Sequence, residues 1–177
     1  TTLPDNLAVR WTFHANNTIE GSAIIFDQTV LVGTSNGQLY ALDLANGKKK
    51  WEYQTNGVLA APAVHAGSVF VGDVKGNLHC VDLATGKKRW KLAIGGVLCS
   101  SPNCSPDRIV IGSYDFHLYC VSNDGKLLWK CKTKEKLHGT PAIVGDRVLI
   151  AGCDQVLHVV DLKTGKEVKT IALDGHV

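Results

Sequence analysis

The chain has 177 residues, 45% of them hydrophobic, and a formal charge of +3 from 19 Lys and Arg against 16 Asp and Glu. That hydrophobic share fits a globular protein with a real core and excludes a disordered tail. A charge this small is no electrostatic footprint for nucleic acid, and no apolar run approaches the ~18 residues that cross a bilayer, so neither nucleic-acid binding nor membrane insertion is expected.

The N-terminus, Thr1 to Asp5, lacks the basic-then-apolar pattern of a signal segment, and the sequence contains no methionine, so a mature or cut-down piece of a longer protein is expected. Six cysteines, at 80, 99, 104, 120, 131 and 153, show no C-x-x-C spacing and no adjacent pair. They read as small buried hydrophobes rather than zinc or redox ligands, and free buried thiols fit a reducing compartment.

Taken in chain order, the first predicted element is Val9 to Phe13, an outer strand with no strands before it. A pattern then begins that occurs four times. The unit Gly37 to Trp51 reads as strand, turn, strand: Leu39 to Leu44 is apolar, Ala45-Asn46-Gly47 is turn chemistry, and Lys48 to Tyr53 is extended. Trp11, Trp51, Trp90 and Trp129 are spaced by 40, 39 and 39 residues, and a fifth would fall at Lys169. A second ladder, Gly33, Gly72, Gly112 and Gly152, closes apolar runs such as Val30-Leu31-Val32. A third is Gly47, Gly86, Gly125 and Gly165. Pro62, Pro102 and Pro141 form a fourth, with Ala23 in the matching place.

Each period therefore holds about four short strands and no helix. The two middle strands are apolar at nearly every position, so both of their faces must be covered. The Trp strand carries Lys48, Lys49, Lys50 and Glu52, the charged edge that discourages strand-to-strand aggregation. A four-stranded antiparallel sheet repeated every 40 residues or so describes one blade of a β-propeller. The expected fold is all-β, a partial propeller of about four blades out of eight. Its layout is a single domain over 1–177: an orphan outer strand at 1–19, blades at 20–56, 57–95, 96–134 and 135–173, and the start of a missing blade at 174–177.

The pattern Ala41-x-Asp43-x-x-x-Gly47-x-x-x-Trp51 resembles the tryptophan-docking motif of the pyrroloquinoline-quinone-type (PQQ) repeat, and the chain is similar to quinoprotein-like propellers. Copy two keeps Asp82, Gly86 and Trp90 with Cys80 for Ala. Copy three keeps Gly125 and Trp129 with Ser122 for Asp, and copy four keeps Asp161 and Gly165 with Lys169 for Trp. The resemblance implies a ring of about eight blades, each outer Trp packing on the next blade. It also implies a periplasmic or otherwise extracytoplasmic bacterial protein, as in planctomycete-like multi-blade repeat proteins, although the free thiols leave a cytoplasmic location open. From the residues alone, Asp43 and Asp82 accept turn N–H groups, Gly47 and Gly86 supply positive φ, and the indoles cover apolar area.

Binding groups in propellers sit at the channel mouth, on loops entering the innermost strand. Three places before the proline ladder lie Glu20, Leu59, Cys99 and His138, followed by pairs that include Ser100 and Thr140. Glu20, Cys99 and His138 are types that suit a transition metal if they converge; otherwise they are diverged loop residues. His79 and His158 share the third-strand place of Tyr40 and Tyr119, which points to packing between blades. No triad and no phosphate loop is present, so no catalytic residue is assigned. The quinone dehydrogenases that the chain resembles hold their cofactor with an adjacent cysteine pair and calcium, and neither donor set is apparent, so PQQ and calcium are not expected. The expected function is a non-enzymatic scaffold that binds an unknown protein partner through channel-mouth loops and blade edges. Its open ends would meet the remaining blades of its own propeller or a second copy of the chain. The alternatives are a fragment of a PQQ-dependent dehydrogenase and the sensor domain of a signalling protein.

Overall fold

The computed structural model describes residues 8–58 and 60–173. Sixteen strands form four antiparallel sheets of four, and the described residues contain no helix. The first blade is β1 (Ile24–Phe26), β2 (Thr29–Gly33), β3 (Gln38–Asp43) and β4 (Lys49–Gln54). The second is β5 (Ala63–His65), β6 (Ser68–Gly72), β7 (Asn77–Asp82) and β8 (Lys88–Ala93). The third is β9 (Asn103–Cys104), β10 (Arg108–Gly112), β11 (His117–Ser122) and β12 (Leu127–Lys132), and the fourth is β13 (Ala142–Val144), β14 (Arg147–Ala151), β15 (Val156–Asp161) and β16 (Glu167–Ala172). Within every blade the strands pair in chain order. These are propeller blades, as the 40-residue period predicts.

The middle strands are apolar throughout because each sheet is covered on both faces. Leu31, Leu39, Ala41 and Trp51 of the first blade pack on Val69, Val71 and Val81 of the second. The same contact recurs between the second and third blades, where Phe70, Leu78 and Cys80 meet Ile109, Ile111 and Tyr119. Val58, Leu98 and Leu137, each fully buried, plug these interfaces from the inter-blade connections. The outer strand carries a bulge at one repeating place: the register shifts after Ala41, Cys80, Cys120 and Val159, just beyond the pairs that hold Trp51, Trp90, Trp129 and Lys169.

The glycine ladder closes differently in the fourth blade. Gly33, Gly72 and Gly112 pair with Leu39, Leu78 and Leu118, whereas Ala151, not Gly152, pairs with Leu157. Gly152 instead takes the place of Thr34, with its amide donating to the Val156 carbonyl as that of Thr34 does to Gln38. The orphan outer strand expected at 1–19 is not formed over its described residues, 8–19. Trp11 and Phe13 nevertheless cover Val30, Val32, Tyr40 and Leu42 of the first blade. The expected start of a further blade at 174–177 lies outside the described residues, as does Leu59.

Candidate functional site

The repeat motif closes one joint per blade boundary. The indole Nε1 of Trp11, Trp51, Trp90 and Trp129 donates at 2.9 Å to the carbonyls of Leu44, Leu83, Asn123 and Leu162, each in the turn of the following blade. The ring lies flat against a turn glycine: a Cβ on Gly47, Gly86, Gly125 or Gly165 would fall 2.5–2.8 Å from the indole. The same glycines have φ between 69° and 83°, where other residues are strained. Asp43, Asp82 and Asp161 hold the turn, each Oδ1 accepting from two backbone amides. Asp82 also receives Arg89 at 2.7 Å, and these bonds hold its carboxyl down at about 2. Where Ser122 stands for Asp, its Oγ bonds to Asp124 and accepts from the Lys126 amide at 3.0 Å. These residues brace the sheets.

Two of the channel-mouth candidates, Cys99 and His138, lie beside one tyrosine that sequence reasoning passed over. The Tyr114 ring meets His138 edge-on with centroids 5.8 Å apart, and the Tyr114 side chain acts on the Cys99 thiol. Lys136 Nζ stands 5.2 Å over the same ring. Burial pushes the Cys99 thiol up, and the Glu20 carboxylate acts on it in the same direction. Ser100 is fully buried and donates to the Gly139 carbonyl at 2.8 Å, tying the two loops together. Thr140 and His138 border a shallow hollow of about 250 Å³ with Cys153. Among the described residues no three His, Cys, Asp or Glu side chains are placed to hold a metal ion. Glu20, Cys99 and His138 are thus not gathered into one ligand set among the described residues.

The third-strand rings form polar networks that were legible only as packing. His79 lies buried between Asp73 Oδ2 at 2.8 Å and the Tyr53 hydroxyl at 3.0 Å. Asp73, fully buried, also accepts from Asn56, the Lys75 amide and Asn77. Although burial alone would raise it, these donors hold its carboxyl far below the usual carboxylate range. Burial depresses His79, so the ring is neutral, with Nε2–H donating to Asp73 and Nδ1 accepting from Tyr53. In the third blade Tyr119 donates to Asp115 at 2.6 Å. In the fourth, His158 bridges Asp154 at 2.9 Å and Glu167 at 2.6 Å.

The fold and its joints define a propeller built of PQQ-like repeats. The chain belongs to the family described as outer membrane protein assembly factor BamB, whose profile matches residues 5–96 and 56–176. Among solved structures, BamB from Moraxella catarrhalis is similar at 24% identity and a TM-score of 0.79, over 91% of this chain and 52% of that one. The quinohemoprotein alcohol dehydrogenase ADHIIG from Pseudomonas putida HK5 is similar at 16% identity and a TM-score of 0.79, over 93% of this chain and 36% of that one. The chain thus spans about half or less of these proteins. Comparison with curated proteins returns no match.

Proposed function

We propose that the chain is part of a non-catalytic propeller, of about eight blades when complete, that serves as an interaction scaffold in the assembly of outer-membrane proteins. It would act outside the cytoplasm. The observation that carries the reading is the change along the outer edges. The first two blades place Lys49-Lys50 and Lys88-Arg89 ahead of the tryptophan, whereas the third places Leu127-Leu128 there, both about half exposed, and the fourth Glu167-Val168. An edge that shows apolar side chains where earlier blades have lysine or arginine ahead of the tryptophan is suited to a protein partner. The matching family and its name support outer-membrane assembly as the setting. Crosslinking from a photoreactive residue at 128 in the parent cell, with the partner identified, tests this; trapping of an outer-membrane assembly component is the expected outcome.

The similarity to a quinohemoprotein dehydrogenase supports a second reading, a fragment of a quinone-dependent enzyme. The residues of this chain do not fit that cofactor set. No two cysteines are adjacent, and no acidic cluster is gathered among the described residues. Saturable binding of PQQ with calcium and dye-linked alcohol oxidation by the whole protein would overturn the scaffold reading.

A further inference from the structure

At the first two joints the residue two places after the tryptophan meets the third-strand ring of the next blade. Phe13 lies edge-on to Tyr40 with centroids 5.1 Å apart, and Tyr53 to His79 at 5.6 Å. Leu92 takes this place in the cluster with Tyr119. At the joint of blades three and four the position holds Cys131, a thiol where the first two joints have a ring. A cavity of about 640 Å³ opens here, lined among others by Phe116, Lys132, Lys134, His158, Glu167 and Thr170. The polar end of the missing ring is also replaced: Glu167 Oε1 sits 2.6 Å from His158 Nδ1, where the Tyr53 hydroxyl sits 3.0 Å from the same nitrogen of His79.

A second observation falls on the same place. The turn before the third strand needs positive φ, and Gly37 and Gly76 supply it in blades one and two. In blades three and four Phe116 and Gln155 hold φ of 68° and 60° there. Phe116 is a wall of the cavity. Non-glycine residues kept in this region at a cost cluster at sites of function.

We propose that this cavity binds a small aromatic acid. Its ring fills the slot that Phe13 and Tyr53 fill elsewhere from within the chain. A phenolic hydroxyl donates to Glu167, which His158 and Asp154 hold in place, and the acid group lies toward Lys132 and Lys134. The volume is ordinary for a ligand of this kind. The site shares no lining residue with the channel-mouth candidates or with Leu127 and Leu128.

The test is saturation-transfer NMR on the intact protein with 3-(4-hydroxyphenyl)propionate. Binding is expected with Kd on the order of 1 mM, set by ligand size. Cys131→Tyr supplies the ring in cis and abolishes binding. The exposed pair Lys132→Gln with Lys134→Gln, which leaves the core untouched, weakens binding roughly three- to ten-fold. This pair serves as the reading if Cys131→Tyr does not fold. Absence of saturation up to about 10 mM, unaltered binding by either variant, or equal affinity for the neutral para-cresol overturns the proposal.

Discussion

The indole of Trp51 lies against Gly86 with its Nε1 bonded to the Leu83 carbonyl at 2.9 Å, so that one side chain of the first blade reads the turn of the second. Gly86→Ala puts a methyl 2.7 Å from the ring at a φ of 69°. Gly145→Ala meets the same kind of backbone, φ 57°, with nothing within 4 Å of the added methyl. Denaturant unfolding should show about 1 kcal/mol lost at position 145, the cost of the left-handed backbone, and about 2–4 kcal/mol at 86, where overpacking adds to it. Equal losses would mean that the indole does not press on the turn.

The Asp73 network makes stability fall on acidification. The carboxyl of Asp73 titrates below its ordinary 3.8, so its contribution is present above that value and is lost as pH falls through the lower folded one. His79 also titrates below its ordinary 6.5, so protonation favours the unfolded chain and the loss begins already below 6.5. Melting temperature followed from neutral pH down should decline in both windows. His79→Gln flattens the upper one while leaving the lower.

Asp73→Asn replaces an acceptor with an amide that points donors at Asn77 and His79. The expected cost is about 2–3 kcal/mol, from donors left facing donors in a buried site. The measurement is denaturant unfolding at neutral pH, where the native carboxylate is ionised.

Thiol labelling should be sharply unequal. Burial pushes the thiols of Cys104 and Cys120 up to about 12, and Cys153 is the exposed one of the six. A disulfide exchange reagent at mildly alkaline pH should modify Cys153 at once and the remaining cysteines only on unfolding, since the thiolate is the reactive form. Rapid release of two or more equivalents from the folded protein would contradict this packing.

At the blade edge, Leu127→Lys with Leu128→Lys restores the gatekeeping of the first two blades. Both side chains are about half exposed, so stability should change by no more than about 0.5 kcal/mol. Partner crosslinking from the neighbouring strand should fall sharply if this edge is the contact, which gel analysis of the crosslinked species would read.

The blades and the four strands of each were legible in the sequence because they rest on local or periodic signals, whereas the packing of each tryptophan on the next blade was implied by the resemblance to PQQ-like repeats and the outer strand expected at the N-terminus is not formed. An apolar run has one meaning wherever it recurs, and a turn needs its glycine whatever surrounds it. The shift of Gly152 by one place escaped that reading, as glycine spacing alone does not reveal strand register. Tyr114 escaped because it sits in a variable turn and acts only through Cys99 and His138 from other segments.

The amino-acid sequence by itself determined a repeating four-stranded sheet and its glycine turn, since both follow from hydrophobic period and turn stereochemistry, while the clamp that joins one sheet to the next was implied by the family resemblance. The tertiary structure decided what the departures from the repeat mean. Cys131 in place of a ring is a neutral substitution on paper, and only the packing of blade three on blade four shows that a cavity bordered by His158 and Glu167 lies at the same joint. Whether Glu20, Cys99 and His138 meet was likewise a matter of distances between loops about 40 residues apart, which no spacing rule supplies. The physical reason is common to both: a repeat specifies contacts within a unit, whereas a site depends on side chains from different units reaching the same few cubic ångströms.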